Sequence, residues 1–183
     1  MNHPSIPGLI VVDELLDDVA QLFCVKRIVE GEWNGGIEHH RRTQHYGYRY
    51  DYRARSVDPE RARIGPLPPW LDQLATLVNA FSGRSIPWSQ AIVNEYRRGI
   101  GIGRHSDSPA FGSEVATISL GTPSIMKFAP HYYATETIPV PLVPGGLVLM
   151  TGASRRPWTH EISGTDMTGL RYSITLRYLP ERL

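Results

Sequence analysis

NEYRRGIGIGRHSD, residues 94–107, runs from an alternating polar and apolar stretch through a glycine-rich turn and ends on a histidine and an aspartate two positions apart. Side chains two apart on a strand share a face, so this spacing sets Asn94 with Tyr96 and His105 with Asp107, and turns Ser106 away. One imidazole and one carboxylate on a common face can begin a metal site. The third ligand candidate is His160 in RPWTHEIS, at the start of another expected strand. Two histidines and one carboxylate occupy one face of an octahedral Fe(II) and leave positions for cosubstrate and oxygen. Zinc accepts the same three ligands, and the spacing does not separate the two ions.

RYSITLR, residues 171–177, supplies the charge such a pocket needs. Strand alternation puts Arg171, Ser173, Thr175 and Arg177 on one face and Tyr172, Ile174 and Leu176 on the other. Two inward arginines are costly unless anions match them. A dicarboxylic cosubstrate offers one carboxylate at each end, with Arg171 at the distal one. Arg177 then either touches the proximal carboxylate or fixes Asp107. The planar guanidinium fork fits a carboxylate and does not titrate. Asn94 and Tyr96 add neutral hydrogen-bonding groups that orient a carboxylate or keto oxygen without cancelling its charge.

Working outward, VDELLDDVAQLFCVKRI (Val12 to Ile28) has helical spacing with Asp13 as a start signal, and WLDQLATLVNAF has it again with Pro68 and Pro69 suited to a first turn. Gln44 to Tyr52 reads as an extended, aromatic-rich hairpin or lid, and 59–69 as irregular. From Ser89 the text changes to short strands punctuated by Gly or Pro: AIVNEYR, VATISL, SIMKFAP, ETIPVPL, GLVLM and RYSITLRYL. Two helices followed by about eight short strands predict an α+β protein whose helices cover one face of an antiparallel sandwich or barrel. GIGIG lacks the strand, helix and acidic residue of a dinucleotide fingerprint.

The length of 183 residues suits one domain with a real core. A net charge of +1 excludes a strongly basic protein, so distribution carries the information. Of 19 basic residues only Lys26 and Lys127 are lysines, and seven arginines against three acids lie between Arg41 and Arg63. Interleaved with Tyr46, Tyr48, Tyr50 and Tyr52, they suit phosphates and stacked bases as well as a solvated sheet edge. The single cysteine, Cys24, excludes an internal disulfide and is expected as buried filling. With neither a basic leader nor a long apolar run, a cytoplasmic protein with no membrane contact is expected. Oligomeric state is not legible.

NEYRRGIGIGRHSD, then ISLG, IMKF, VPGGLVLMTGASRRPWTHEI and RYSITLR, in that order, resembles the AlkB family of iron- and 2-oxoglutarate-dependent dioxygenases over roughly residues 40–180. The resemblance implies a double-stranded β-helix, or jelly roll, at about 89–180, preceded by helices and a nucleotide-recognition lid at about 39–63. It implies His105, Asp107 and His160 as Fe(II) ligands. It further implies Arg171 on the distal 2-oxoglutarate carboxylate, Asn94 and Tyr96 as its helpers, and Arg177 near the metal, with O2 as cosubstrate. Ser173 stands where repair members commonly carry Asn. HSDSPAFGSEVATISLG and QHYGYRYDYR look more like the branch holding the tRNA wobble-uridine hydroxylase domain than the DNA-repair branch. Repair enzymes place an acid two residues after the metal aspartate, and here that position is Pro109.

The implied activity is hydroxylation or oxidative demethylation of an alkyl group on a base in RNA or single-stranded DNA. Substrate contacts are expected from Arg41, Arg42, Tyr46, Tyr48, Arg49, Tyr50, Arg53 and Arg55. A protein side-chain hydroxylase or demethylase, a non-catalytic nucleic-acid binding module and a zinc-binding barrel are the competing readings. His39, His40, His45 and His131 are assigned to surface or substrate roles, and Trp158 to the core.

Overall fold

The computed structural model describes residues 1–34, 41–54, 56–165 and 167–180. Ten strands and three helices follow in order: β1 (Leu9–Val12), α1 (Asp18–Glu30), β2 (Arg42–Tyr46), α2 (Pro69–Ser82), β3 (Gln90–Tyr96), β4 (Ile102–His105), β5 (Val115–Gly121), β6 (Ser124–Ala129), β7 (Ile138–Leu142), β8 (Leu147–Met150), α3 (Gly152–Arg155), β9 (Thr159–Ile162) and β10 (Arg171–Arg177). They build a six-stranded sheet, β1-β8-β5-β10-β3-β2, and a four-stranded sheet, β4-β9-β6-β7. Their ladders are antiparallel, as the strand pattern predicts, and the two sheets form the jelly roll that the family resemblance implies.

β10 sits mid-sheet between β3 and β5 and pairs with β3 from Arg171↔Tyr96 to Arg177↔Gln90. Its alternation is therefore used twice. Tyr172, Ile174 and Leu176, with Ala91, Val93, Ile118 and Leu120, pack under the helical layer of Cys24 and Ile28 from α1 and Leu71, Leu74 and Val78 from α2. The opposite face looks toward the small sheet, where Tyr96, Met126, Phe128, Val148, Met150 and Ile162 form a second core. Polar residues of β3 and β10 interrupt that face, and they are the ones the cavity uses.

α2 starts with proline at its first positions, as its sequence predicts, and ends on Gly83 in the left-handed region. α1 corrects the expected Val12–Ile28 span. LIVV is an edge strand on β8, Leu9↔Met150 to Val12↔Leu147, and the helix begins only at Asp18. Asp17, not Asp13, caps it by accepting from the Ala20 N–H at 2.8 Å. Buried Gln44 donates to the Ile28 carbonyl at 2.7 Å, which also accepts from the Gly31 N–H at 3.2 Å, so β2 is tied to the end of α1.

The segment read as a hairpin or lid is a strand only to Tyr46. Gly47, with φ +76°, turns the chain where a Cβ would collide with the Ser89 carbonyl. Isolated bridges Tyr48↔Arg63 and Asp51↔Ser56 then hold it. His39, His40 and Arg55 of the expected lid lie outside the described residues. Among the described residues no helix is long and apolar enough to cross a membrane.

Candidate active site

β4 and β9 pair so that His105 stands opposite His160, with ring centroids 4.4 Å apart. Asp107 follows two residues beyond the end of β4. One of its oxygens is 3.8 Å from His160 Nε2, and the other accepts from Arg177 Nη2 at 2.7 Å. The three residues expected as metal ligands are thus brought together, and Arg177 takes the second of its two anticipated positions, on Asp107. Arg177 occupies the carboxylate as the side chains stand, and among the described residues no group of three His, Cys, Asp or Glu is already closed around an ion position.

The protonation states nevertheless suit a divalent cation. Burial pushes the Asp107 carboxyl up, but Arg177, His160, His105 and Arg155 outweigh it and hold the group well below the usual carboxylate range. Burial lowers both imidazoles, His160 to about 3. His105 Nδ1 lies 2.8 Å from the Gly103 carbonyl, which favours a proton there and leaves Nε2 as the basic nitrogen. An anionic carboxylate beside two neutral imidazoles is the ligand form of all three groups.

Arg171 has 0% exposure. Nη2 donates to Ser119 Oγ at 2.9 Å, the guanidinium carbon lies 4.9 Å from the centre of the Tyr96 ring, and Nε and Nη1 have no hydrogen-bond partner. Arg177 Nε is likewise buried and unpartnered. Buried donors left unmatched are rare and expensive. A carboxylate at Arg171 would supply the partner its two spare donors lack, and on that count the residues present fit an anionic cosubstrate. Asn94 Nδ2 donates to Ser173 Oγ at 3.4 Å, which joins two of the expected helpers across β3 and β10.

Asn94, Tyr96, His105, Asp107, His160, Ser173 and Arg177 all line one cavity of about 230 Å³. Arg171 does not line it; its guanidinium lies against the ring of Tyr96, which does. Of the expected substrate contacts, Arg41 and Tyr50 border the cavity. Arg41 donates to the Gly101 carbonyl at 2.9 Å and lies 5.6 Å from the Tyr96 ring centre.

The pleat places Arg42 and Tyr46 away from the cavity. Arg42 is registered against Glu95 and Tyr46 against Ala91, both on the helix side. There Arg42 pairs with Glu95 at 2.6 Å over Trp33, and Tyr46 meets Trp70 edge-on. Tyr48 bridges Arg63, exposed Arg49 borders a separate groove with Trp70, and Arg53 spends its backbone N–H on Asp51; none lines the cavity.

The cavity also uses residues that the sequence did not single out. Phe111, four positions after Asp107, carries the Arg177 guanidinium at 4.9 Å and Tyr50 at 5.7 Å, and Tyr50 meets Tyr52 edge-on at 5.0 Å. Its only sequence signal was an aromatic close behind the aspartate. Arg155, in the α3 turn, reaches the backbone of Asp107 and Ser108. Nothing periodic marked it.

Paired antiparallel sheets enclosing such a set define a jelly-roll oxygenase, and the model of the 2OG-Fe(II) oxygenase superfamily matches residues 6–177. The chain belongs to that superfamily of dioxygenases and, within it, to the AlkB family. It is 32% identical over 167 residues to the tRNA (carboxymethyluridine(34)-5-O)-methyltransferase ALKBH8 of Macaca fascicularis, covering 86% of this chain and 24% of that protein. It is 29% identical over 180 residues to the alkylated DNA repair protein ALKBH8 homolog of Arabidopsis thaliana, covering 86% and 51%. The chain therefore spans about a quarter to a half of the length of these relatives. Among solved structures, OsALKBH1 superposes with a TM-score of 0.70 at 18% identity over 93% of this chain and 96% of that one. The prolyl hydroxylase of Trichoplax adhaerens gives 0.64 at 15% identity over 95% and 84%.

Proposed function

We propose that this chain hydroxylates or oxidatively demethylates an alkyl group on a nucleic-acid base, in RNA or single-stranded DNA, with Fe(II), 2-oxoglutarate and O2. The observation that carries the reading is the cavity lined by buried Asp107, two neutral histidines and Arg177, with the unmatched donors of Arg171 buried against its lining residue Tyr96. Family membership supports the chemistry, and the tRNA and DNA names of the relatives support the substrate class.

His105, Asp107 and His160 would hold the metal. Bound Fe(II) with 2-oxoglutarate and O2 supplies oxidative decarboxylation to succinate and CO2 coupled to hydroxylation of a substrate C–H bond. Arg171 matches the distal carboxylate with its two spare donors. Arg177 keeps Asp107 ionised and fixed. Asn94, Tyr96 and Ser173 orient the cosubstrate through neutral hydrogen bonds. Tyr50, Tyr52 and Phe111 form an aromatic wall that excludes water and accepts a planar base, while Arg41 offers a cation at the rim. A base in a duplex must first leave the stack, so single-stranded or loop positions are favoured. An alcohol on carbon persists, whereas one on an N-methyl carbon leaves as formaldehyde.

The test is mass spectrometry of products from methylated DNA, methylated RNA, modified-uridine tRNA and peptide pools, supplied with Fe(II) and 2-oxoglutarate. Oxidation confined to nucleic-acid pools is expected. Oxidised peptides with untouched nucleic acids would transfer the reading to a protein hydroxylase.

A further inference from the structure

Arg155 is 4% exposed, yet no carboxylate among the described residues lies within ion-pair distance of it. It is spent instead on two successive carbonyls, with Nη1 donating to Asp107 O at 3.0 Å and Nη2 to Ser108 O at 2.9 Å, 48 and 47 residues away in sequence. Nε is buried without a partner. A cation held in this way fixes backbone direction, and it interacts favourably with the Asp107 carboxylate of the same residue it grips.

The mount is rigid. The α3 turn is closed by Ser154, whose Oγ accepts from the Thr151 N–H at 3.0 Å and donates to the Thr151 carbonyl at 2.8 Å. Thr151 Oγ1 and the Ser154 N–H donate to Gly8 O at 2.8 Å and Pro7 O at 2.8 Å, which anchors the turn to the N-terminal segment. Asp107, by contrast, stands beyond the end of β4, where no ladder sets its orientation. Arg177 holds the carboxylate, and Arg155 holds the peptide that carries it.

We infer that Arg155 is a positioning residue for the metal site: its two-carbonyl grip sets the direction in which Asp107 presents its carboxylate to an ion shared with His105 and His160. The inference rests on the iron-site reading given above. Partners of ligating groups typically influence metal affinity by roughly 10–100-fold when removed. Lysine retains the charge and its donors but not the rigid planar fork, so it fixes the two carbonyls less firmly.

The experiment is calorimetric titration of the full chain with Co(II), under anaerobic conditions with 2-oxoglutarate, alongside the Co(II) absorption spectrum and the thermal midpoint of the metal-free protein. Arg155→Met should bind Co(II) roughly 10–100-fold more weakly with an altered spectrum, and Arg155→Lys should fall between it and the wild type. The exposed neighbour control Arg156→Met should match the wild type. Wild-type Co(II) affinity and spectrum in Arg155→Met, with only the thermal midpoint changed, would overturn the inference. If Arg155→Met does not fold, Arg155→Lys decides by the same criterion. A wild-type chain that takes up no Co(II) would overturn the iron-site reading itself.

Discussion

Asp107 carries opposite demands: burial favours its neutral form, yet the Arg177 guanidinium beside it keeps it ionised. Asp107→Ala should abolish Fe(II)-dependent conversion of 2-oxoglutarate to succinate while circular dichroism stays native; undiminished turnover would remove the metal assignment. Arg171 behaves differently because its charge is unmatched in the ligand-free chain. Replacing a buried charge that has no counter-ion with an apolar group of similar volume removes its desolvation penalty. Arg171→Met should therefore leave the melting temperature of the metal-free protein equal or higher, and should lose the further rise that 2-oxoglutarate gives the wild type. A retained 2-oxoglutarate shift would count against the distal-carboxylate role. These residues were legible because strand spacing alone puts Asn94 with Tyr96, His105 with Asp107 and Arg171 with Arg177. The same period of two, applied to Arg41 and Arg42, already sends them to opposite faces. Arg155 was not legible, since a side chain that serves backbone carbonyls leaves no pattern of paired residue types.

At the scale of elements, β2 and the turn at Gly47 set where the aromatic wall begins. With φ +76° and the Ser89 carbonyl in the way of any Cβ, this position combines left-handed strain with a backbone clash. Gly47→Ala should destabilise the fold by about 3 kcal/mol or more in urea unfolding. A change within about 0.5 kcal/mol would show that the turn yields easily. The α2 boundaries followed from Pro68, Pro69 and Gly83, local signals that act within one turn. The start of α1 did not, because LIVV owes its strand state to β8, more than 130 residues away. Local propensity does not contain that pairing. The solvent face of α1 also bears Val19, Leu22, Phe23 and Val29, which blurs the period that marks its buried side.

Across the whole molecule, the two-sheet plan was readable from strand count and punctuation, but the order in which strands pair was not. Titration offers a global check. His45 is pushed down to about 4 by burial, with Arg49 and Arg177 adding to it, and its Nδ1 accepts the Tyr50 N–H at 3.1 Å while Nε2 faces Thr43 Oγ1 at 3.2 Å. The folded value lies below the ordinary 6.5, so the unfolded chain binds more protons between the two. Stability contributed by neutral His45 is complete above about pH 6.5 and declines toward pH 4. His105 and His160 act in the same direction. The difference between wild-type and His45→Gln denaturation midpoints across that window isolates the His45 part, and parallel curves would show that it contributes nothing.

The layer of helices holds a built-in reporter. Cys24 is buried on the inner side of α1, and burial pushes its thiol up to about 11, so the folded chain presents neither an accessible sulfur nor a thiolate. Because no other thiol exists in the chain, the rate at which a maleimide attaches clocks how often α1 lifts from the sheet. Addition of 2-oxoglutarate and metal should slow that clock only if order at the catalytic face of β10 is transmitted through the sheet to the helices packed on its back.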